Sequence, residues 1–380
     1  MKYTPAVRIT HRSNNPQRLL WLIGLLLLIG CTLSYFLSRP HVHALPAEST
    51  KPKLSGLMDR KDIPQPAYQN YNTQALVRNF VIETDWKTIE PREGQFDFSS
   101  IQSKIDRAAA QHMQVRLSVA AGRLAPDWVK SRVGSIPWRE PEDTQKGTYQ
   151  LPLFWTGSYQ QLYKNMLSAL SERYDGVSNV SEITLAMCTT TYSEPLIRQA
   201  RAAENKVRAG QAGYTYRADY DCQKHNIDLF DTRSDSSSAA HLFANTRVHF
   251  ALNPFQGFSP PRGRGGIDDT IQLMRYCRQT LGPRCVLSNH SIRWPLLGGN
   301  YKTLYENMKK AGPPLSFQTA VPAKIGDWQK TLQWAIDQKA VSIELNSGYD
   351  VYDQATLANF AGQLQHNARY TYTYDTGTAW

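Results

Sequence analysis

Short apolar runs rich in β-prone residues alternate with longer amphipathic stretches from about residue 76 to the end of the chain. Most of the short runs lead into polar loops, and apolar positions in the longer stretches recur with the helical period. Strands are predicted at 76–82, 114–119, 149–154, 181–187, 248–252, 285–288, 315–317 and 341–345. Helices are predicted at 159–174, 267–281, 301–311, 328–338 and 354–365. Eight strands alternating with helices predict a parallel (β/α)8 TIM barrel.

An apolar run without charges, residues 19–37, precedes the predicted barrel. It is long enough to cross the hydrocarbon layer of a membrane, which predicts a single N-terminal transmembrane helix. Residues 1–18 are basic, and this favours a cytoplasmic N-terminus with the rest of the chain outside the cytoplasm. Prolines in 38–65 indicate a linker, so the barrel domain is predicted to occupy 66–380.

Two other interpretations of the apolar run stay open. The residues before Cys31 resemble a lipoprotein cleavage box, and weak signal-peptide cleavage positions occur near Ala44 and Ala47. An uncleaved anchor, a lipoprotein and a cleaved signal peptide would all place the domain on the far side of a membrane, in the periplasm or outside the cell.

Charge and cysteine usage narrow the classes of function. The net charge is +11, but part of the excess lies in the N-terminal tail and no basic stripe with interleaved aromatic residues is present. A nucleic-acid partner is therefore not expected. The even set of cysteines after the apolar run predicts the disulfides Cys188–Cys222 and Cys277–Cys285, with free buried thiols as the alternative. No cysteine or histidine spacing typical of a metal site occurs, so neither a metal nor a cofactor is expected.

The segment 86–98 has the pattern W-x-x-I-E-P-x-x-G-x-F-D-F, and 122–128 has the pattern G-x-x-x-P-x-W. The first pattern resembles the first strand–loop–helix unit of the (β/α)8 barrels of glycoside hydrolase clan A, and the second resembles the loop after their second strand. The resemblance implies a sugar-cleaving barrel whose proton donor is a glutamate at the end of strand four. It also implies a nucleophilic glutamate at the end of strand seven.

Glu194 stands where the resemblance implies the proton donor, although Ser193 replaces the usual asparagine before it. Its alternative role is to cap the helix predicted to follow. Gln318 stands where the nucleophile is implied, and a carboxamide cannot attack an anomeric carbon as a carboxylate does. Glu344 in strand eight alternates with apolar neighbours and is predicted to face the barrel axis, as the second catalytic carboxylate or as an ion-pair partner of Arg116.

Polar side chains in or near the predicted strands and aromatic side chains in or near the following loops form a predicted substrate-binding set. Aromatic rings in such loops can stack on sugar faces, and the polar groups can bind hydroxyls. The set consists of Arg78, Asn79, Trp86, Arg116, Trp128, Trp155, Tyr192, His249, Asn253, Asn289 and Gln318.

These patterns predict a membrane-anchored, extracytoplasmic glycoside hydrolase-like protein that acts on a polysaccharide or oligosaccharide with paired carboxylates. A separation of about 5–5.5 Å between the two carboxyl groups would indicate retention, and about 6.5–9.5 Å would indicate inversion. The alternative is a non-catalytic glycan-binding barrel in cell-envelope or exopolysaccharide biology, which Ser193 and Gln318 favour.

Overall fold

The computed structural model describes residues 51–60, 76–140, 147–198, 202–233, 242–263 and 265–369. The predicted basic tail, the apolar run 19–37 and its alternative processing positions lie outside these residues. No helix within the described ranges is both long and apolar enough to cross a membrane.

Eight parallel strands close into a barrel, which confirms the predicted (β/α)8 barrel. The barrel strands are β1 (Gly56–Asp59), β2 (Val77–Asp85), β3 (Gln114–Ala120), β6 (Val180–Thr184), β7 (Arg247–Ala251), β8 (Cys285–Ile292), β9 (Leu315–Thr319) and β10 (Ala340–Glu344). They pair in this order, and β10 pairs with β1 to close the ring. Two further strands, β4 (Ser135–Glu140) and β5 (Gly147–Pro152), form an antiparallel hairpin outside the barrel.

Helices follow most of the barrel strands and pack apolar faces against the outside of the sheet. The described α-helices span Trp86–Ile89, Ser99–Ala110, Asp127–Val133, Gly157–Tyr174, Ala203–Gln211, Tyr216–Asp228, Gly266–Leu281, Asn300–Ala311, Pro322–Ile325, Trp328–Asp337 and Gln354–Arg369. Short 3₁₀ turns span Gly122–Leu124, Gly282–Arg284 and Tyr349–Val351.

One barrel strand was not predicted, and one predicted strand lies outside the barrel. The predicted number of eight barrel strands is therefore still correct. Strand β1 lies inside the predicted linker 38–65, where four residues among prolines and lysines gave no clear strand signal. The predicted third strand, 149–154, instead overlaps the outer strand β5, because hairpin strands share the β-prone composition of barrel strands. The fourth to eighth barrel strands therefore keep their predicted numbers. The segment 86–98 belongs to the second strand–loop–helix unit, not the first.

In the segment 86–98, the side chain of Glu90 makes the hydrogen bonds that hold the turn. Its carboxylate accepts hydrogen bonds from the indole of Trp86 at 2.7 Å and from the backbone nitrogen of Gly94 at 2.9 Å. Gly94 has φ +68°, a left-handed conformation that favours glycine. Trp86 is fully buried and packs edge-on against Tyr159 and Tyr163. The motif thus builds the core beside β2.

The bottom of the barrel, where the strands begin, is closed by the segment Lys51–Ser55. Buried Lys51 donates hydrogen bonds through Nζ to the carbonyls of Val180 (2.8 Å) and Tyr174 (3.3 Å) and to the hydroxyl of Thr246 (2.9 Å). Leu54 in the same segment belongs to a small apolar cluster with Met58 and Val81. These packed side chains of Lys51–Ser55, called the Lys51 plug below, close this end of the barrel.

Both predicted disulfides are present. Cys188, in the loop after β6, is joined to Cys222 in the helix Tyr216–Asp228. Cys277, in the helix Gly266–Leu281, is joined to Cys285 at the start of β8. The first crosslink fixes the loop that carries Glu194 to a neighbouring helix.

Candidate active site

The carboxyl ends of the barrel strands form the mouth, opposite the Lys51 plug. A cavity of about 440 Å³ opens there between the ends of β1, β2, β9 and β10. Its lining consists of Asp59, Arg60, Phe80, Val81, Glu83, Lys104, Gln318, Thr319, Val321, Leu345, Asn346 and Ser347. The lining mixes charged and apolar groups, as expected of a site for a polar organic ligand.

Glu194 lies in the loop after β6, and its side chain is 18% exposed. Its Oε2 accepts a hydrogen bond of 2.8 Å from the amide of Asn253, and Oε1 is 3.9 Å from Nδ1 of His290. Burial raises the pKa of Glu194 above its ordinary value, against the opposing effects of Asn253 and Arg60. The alternative capping role does not fit, because the next described helix begins only at Ala203.

Glu344 ends β10 and is 3% exposed. Its carboxylate lies 3.3 Å from the guanidinium of Arg116 and 3.4 Å from that of Arg60. The ion pair with Arg116 was one of the two roles predicted for Glu344. Burial raises the pKa of Glu344 to about 7, while the two guanidinium groups oppose the rise.

Arg116 connects four strands inside the barrel. It donates at 2.9 Å to Glu182 on β6 and at 2.9 Å to the hydroxyl of Ser316 on β9, in addition to its contact with Glu344 on β10. The pKa of Glu182 is lowered to about 2, because Arg116 and His249 outweigh the effect of burial. Arg116 is therefore a structural and electrostatic link below the mouth.

Gln318 lines the cavity on β9, in register with Glu344 on the adjacent strand. Beside it, the hydroxyl of Thr319 and the amide oxygen of Asn346 lie 3.3 Å apart, and Tyr352 donates to the same Asn346 oxygen at 2.9 Å. The side-chain amides of Gln318 and Asn346 thus line the cavity close to the buried carboxyl group of Glu344.

Two histidines lie between the mouth and the barrel interior. His249 on β7 is fully buried, and its Nε2 is 3.2 Å from Nε2 of His290 on β8. On its other side, Nδ1 of His249 is 3.6 Å from Glu182. Burial lowers the pKa of His249 to about 4 and that of His290 well below its ordinary value, so both rings are neutral at neutral pH.

Several predicted substrate-binding residues lie elsewhere. Trp86 is enclosed in the core, and Trp155, 7% exposed, packs edge-on against Phe154 and Tyr214. Arg78 and Asn79 belong to the beginning of β2, at the opposite end from the mouth. Buried aromatic rings and residues at the bottom cannot contact a glycan at the mouth, so these four predictions were wrong.

The other predicted residues differ in their surroundings. Trp128 is partly buried, packs edge-on against Trp86 and donates to the carbonyl of Glu90 at 3.1 Å, which gives it a role in the scaffold. Asn289 donates to Asn253 at 3.3 Å and thereby supports the amide that contacts Glu194. Tyr192 is partly exposed, two residues before Glu194.

Sequence reasoning missed Arg60 as a site residue. Arg60 follows β1 and contacts both Glu83 (3.2 Å) and Glu344 (3.4 Å). It was assigned to the linker because β1 was not recognised. His290, which lies near Glu194, follows the predicted sixth strand but was not included in the predicted substrate-binding set. Within the described ranges, no group of three or more histidine, cysteine or acidic residues could hold a metal ion.

Residues 71–186 match the sequence family glycoside hydrolase 42, described as β-galactosidase. This is less than half of the chain, and it covers the region from β2 to β6. No curated protein matches the sequence.

Among solved structures, the chain is similar to the catalytic domain of β-amylase from Paenibacillus polymyxa, with 12% identity, a TM-score of 0.49 and coverage of 85% of this chain and 100% of that one. It is also similar to β-galactosidases from Marinomonas ef1 (11% identity, TM-score 0.39) and Halorubrum lacusprofundi (13%, 0.39). Those two matches cover 82% and 84% of this chain but only 59% and 58% of theirs. Similarities of this size do not bear on function.

Proposed function

We propose that the chain is a glycoside hydrolase-type enzyme that cleaves a polysaccharide or oligosaccharide at the mouth of the barrel. The observation that carries the proposal is Glu194, a partly exposed carboxyl group held at the mouth by Asn253. Its raised pKa favours the protonated form that a general acid needs. The match of residues 71–186 to a glycoside hydrolase family supports the same reaction class.

In the proposed reaction Glu194 donates its proton to the glycosidic oxygen as the bond to the anomeric carbon breaks. Glu344 is the other carboxylate, either as the nucleophile or as the base that activates water. It must be ionised in either role, and the contacts with Arg60 and Arg116 favour that form. Because burial raises the pKa of Glu344 to about 7, the active form should become populated as the pH approaches neutrality.

The proposed setting is outside the cytoplasm, with residues 19–37 as a membrane anchor. Two disulfides support an oxidising compartment, since such bonds seldom persist in the cytosol. Glycans of the cell envelope or an exopolysaccharide are the proposed substrates.

The test is hydrolysis by the full-length protein across a panel of envelope and exported glycans. Replacing the acid by Glu194→Gln should lower the rate by roughly 10²–10⁴-fold, because the amide cannot donate the catalytic proton. Glu344→Gln should abolish turnover in the same assay. Glu172→Gln, on the exposed face of the helix Gly157–Tyr174, is the matched control and should keep the parent rate.

A second candidate function is glycan binding without cleavage. Two observations favour it: Gln318 occupies the position where the nucleophile was implied, and Glu344 is engaged by two arginines. Isothermal titration with the same glycans separates the candidates. Binding by the parent and by Glu194→Gln, with no hydrolysis by the parent, would replace the enzyme proposal with this one.

A further inference from the structure

A line of four titratable side chains runs from the barrel interior to the mouth. It begins at Glu182 on β6, passes through His249 on β7 and His290 on β8, and ends at Glu194 in the loop after β6. The successive distances are 3.6 Å from Glu182 Oε2 to His249 Nδ1, 3.2 Å between the two Nε2 atoms, and 3.9 Å from His290 Nδ1 to Glu194 Oε1.

We propose that Glu182, His249 and His290 form a directional relay in which the carboxylate of Glu182 fixes the tautomers of both histidines and thereby favours the protonated form of Glu194. The inference rests on the proposed function, because a protonated Glu194 is the form that serves as general acid. His249 and His290 act through Glu194 and are positioning residues.

The direction of the relay follows from the charge of Glu182 and from the single N–H of each neutral ring. Arg116 keeps Glu182 ionised in spite of its burial, so an N–H is favoured over a lone pair at the facing Nδ1 of His249. A neutral imidazole carries only one N–H, and Nε2 of His249 must then accept from Nε2–H of His290. His290 is neutral as well, which leaves its Nδ1 bare toward Glu194.

A bare ring nitrogen beside a carboxyl group favours the protonated acid, because two lone pairs repel and an O–H can point between them. Neither the 3.6 Å from Glu182 to His249 Nδ1, which has no hydrogen-bond partner among the described residues, nor the 3.9 Å from His290 Nδ1 to Glu194 is a hydrogen bond. At both ends the relay therefore acts through the electrostatic preference of the facing atoms. The other groups acting on Glu194 are Arg60, whose charge favours ionisation, Asn253, which donates to it, and the phenol of Tyr301.

The critical variant is His249→Phe, which removes the middle of the relay without changing charge, because His249 is neutral. With no acceptor for its Nε2–H, His290 should adopt the other tautomer and donate from Nδ1 to Glu194. That donation stabilises the carboxylate, so the pKa of Glu194 should fall by roughly one unit although the replaced residue does not touch it.

The measurement is a pH titration of the Glu194 carboxyl carbon by NMR on the full-length protein, assigned by comparison with Glu194→Gln. Thr184→Val is the control, since Thr184 is a buried neighbour on β6 that takes no part in the line. It should leave the Glu194 titration at the parent position. If hydrolysis is found, its alkaline limb should move with the carboxyl titration in His249→Phe.

Nitrogen NMR of the histidine rings tests the tautomers directly and does not depend on catalysis. The expected state is N–H at Nδ1 of His249 and at Nε2 of His290. The reverse assignment, or an unchanged Glu194 titration in a folded His249→Phe protein, would overturn the relay. A confirmed relay in a protein without hydrolysis would overturn only the proposed function.

Discussion

The two ends of the barrel bury charged side chains by different means. At the bottom, Lys51 donates hydrogen bonds to two backbone carbonyls and one hydroxyl, and the carboxylate of Asp175 opposes the lowering of its pKa by burial. At the mouth, Glu344 is bound by Arg60 and Arg116, and Glu194 lies beside His290. Neutral acceptors hold Lys51 at the bottom, whereas charged or titratable side chains lie beside the two carboxyl groups at the mouth. Burial therefore serves folding at one end and the proposed proton chemistry at the other.

The largest expected effect is on stability, from Arg116→Met. Without this guanidinium the carboxylate of Glu182 loses its main counter-charge, and Glu344 keeps only Arg60. Breaking a buried ion pair from one side should cost about 3–5 kcal/mol in the free energy of unfolding, measured with urea. Arg132→Met, which removes an exposed pair with Glu93, is the control and should cost less than about 1 kcal/mol. Equal losses in the two variants would remove the distinction between buried and exposed pairs.

At the mouth, Glu344 should make the free energy of unfolding depend on pH. The pKa of Glu344 is about 7 in the folded state and 4.5 as its ordinary value, so the folded protein binds this proton more tightly. The proton on Glu344 therefore stabilises the folded state fully below pH 4.5. This contribution to the free energy of unfolding, roughly 3 kcal/mol, is lost as the pH rises to 7.

Unfolding of the parent and of Glu344→Gln should be compared from pH 4.5 to 8, because the difference isolates this group from His249, which titrates in an overlapping range. The parent should lose stability relative to the variant across the window. Glu172→Gln should run parallel to the parent. Parallel curves for Glu344→Gln would show that Glu344 is ionised throughout.

The smallest effect is expected at the bottom, from Lys51→Met. Methionine fills similar space and removes the cost of burying an ammonium group, but three acceptors lose their donor, for a net loss of about 1 kcal/mol. The pKa of Lys51 is lowered by burial to about 8 from 10.5, so the parent gains stability as the pH rises between these values. The variant should lack that gain in urea unfolding and keep the Glu194 titration unchanged. A shifted Glu194 titration would mean that the two ends are coupled.

Short runs of β-prone residues were sufficient to predict most of the barrel strands. Strands β3, β7 and β10 follow from local signals, whereas the crosslinks Cys188–Cys222 and Cys277–Cys285 were the simplest pairing of an even set of cysteines, with free thiols as the alternative. Strand β1 does not, because its four residues gain their conformation from pairing with β2 and β10 and not from propensity.

The site was less accessible to sequence reasoning than the fold. Glu194 and Glu344 were selected from their places in the chain, but the contact of Glu194 with Asn253 joins residues 59 positions apart. No local pattern encodes such a contact. Trp86 was predicted to bind substrate, but the motif that contains it builds the scaffold and its ring lies in the core.

Arg116 also has a consequence for how the chain folds. Its two carboxylate partners lie 66 and 228 positions later in the sequence, so a chain still being synthesised offers the first long before the second. Closing the longer loop carries a larger entropic cost, and the contact that repays it arrives with the last strand. A chain truncated before Glu344 would lose one strand and leave this guanidinium short of counter-charge. We expect such truncations to be cleared by proteases instead of persisting as a seven-strand remnant.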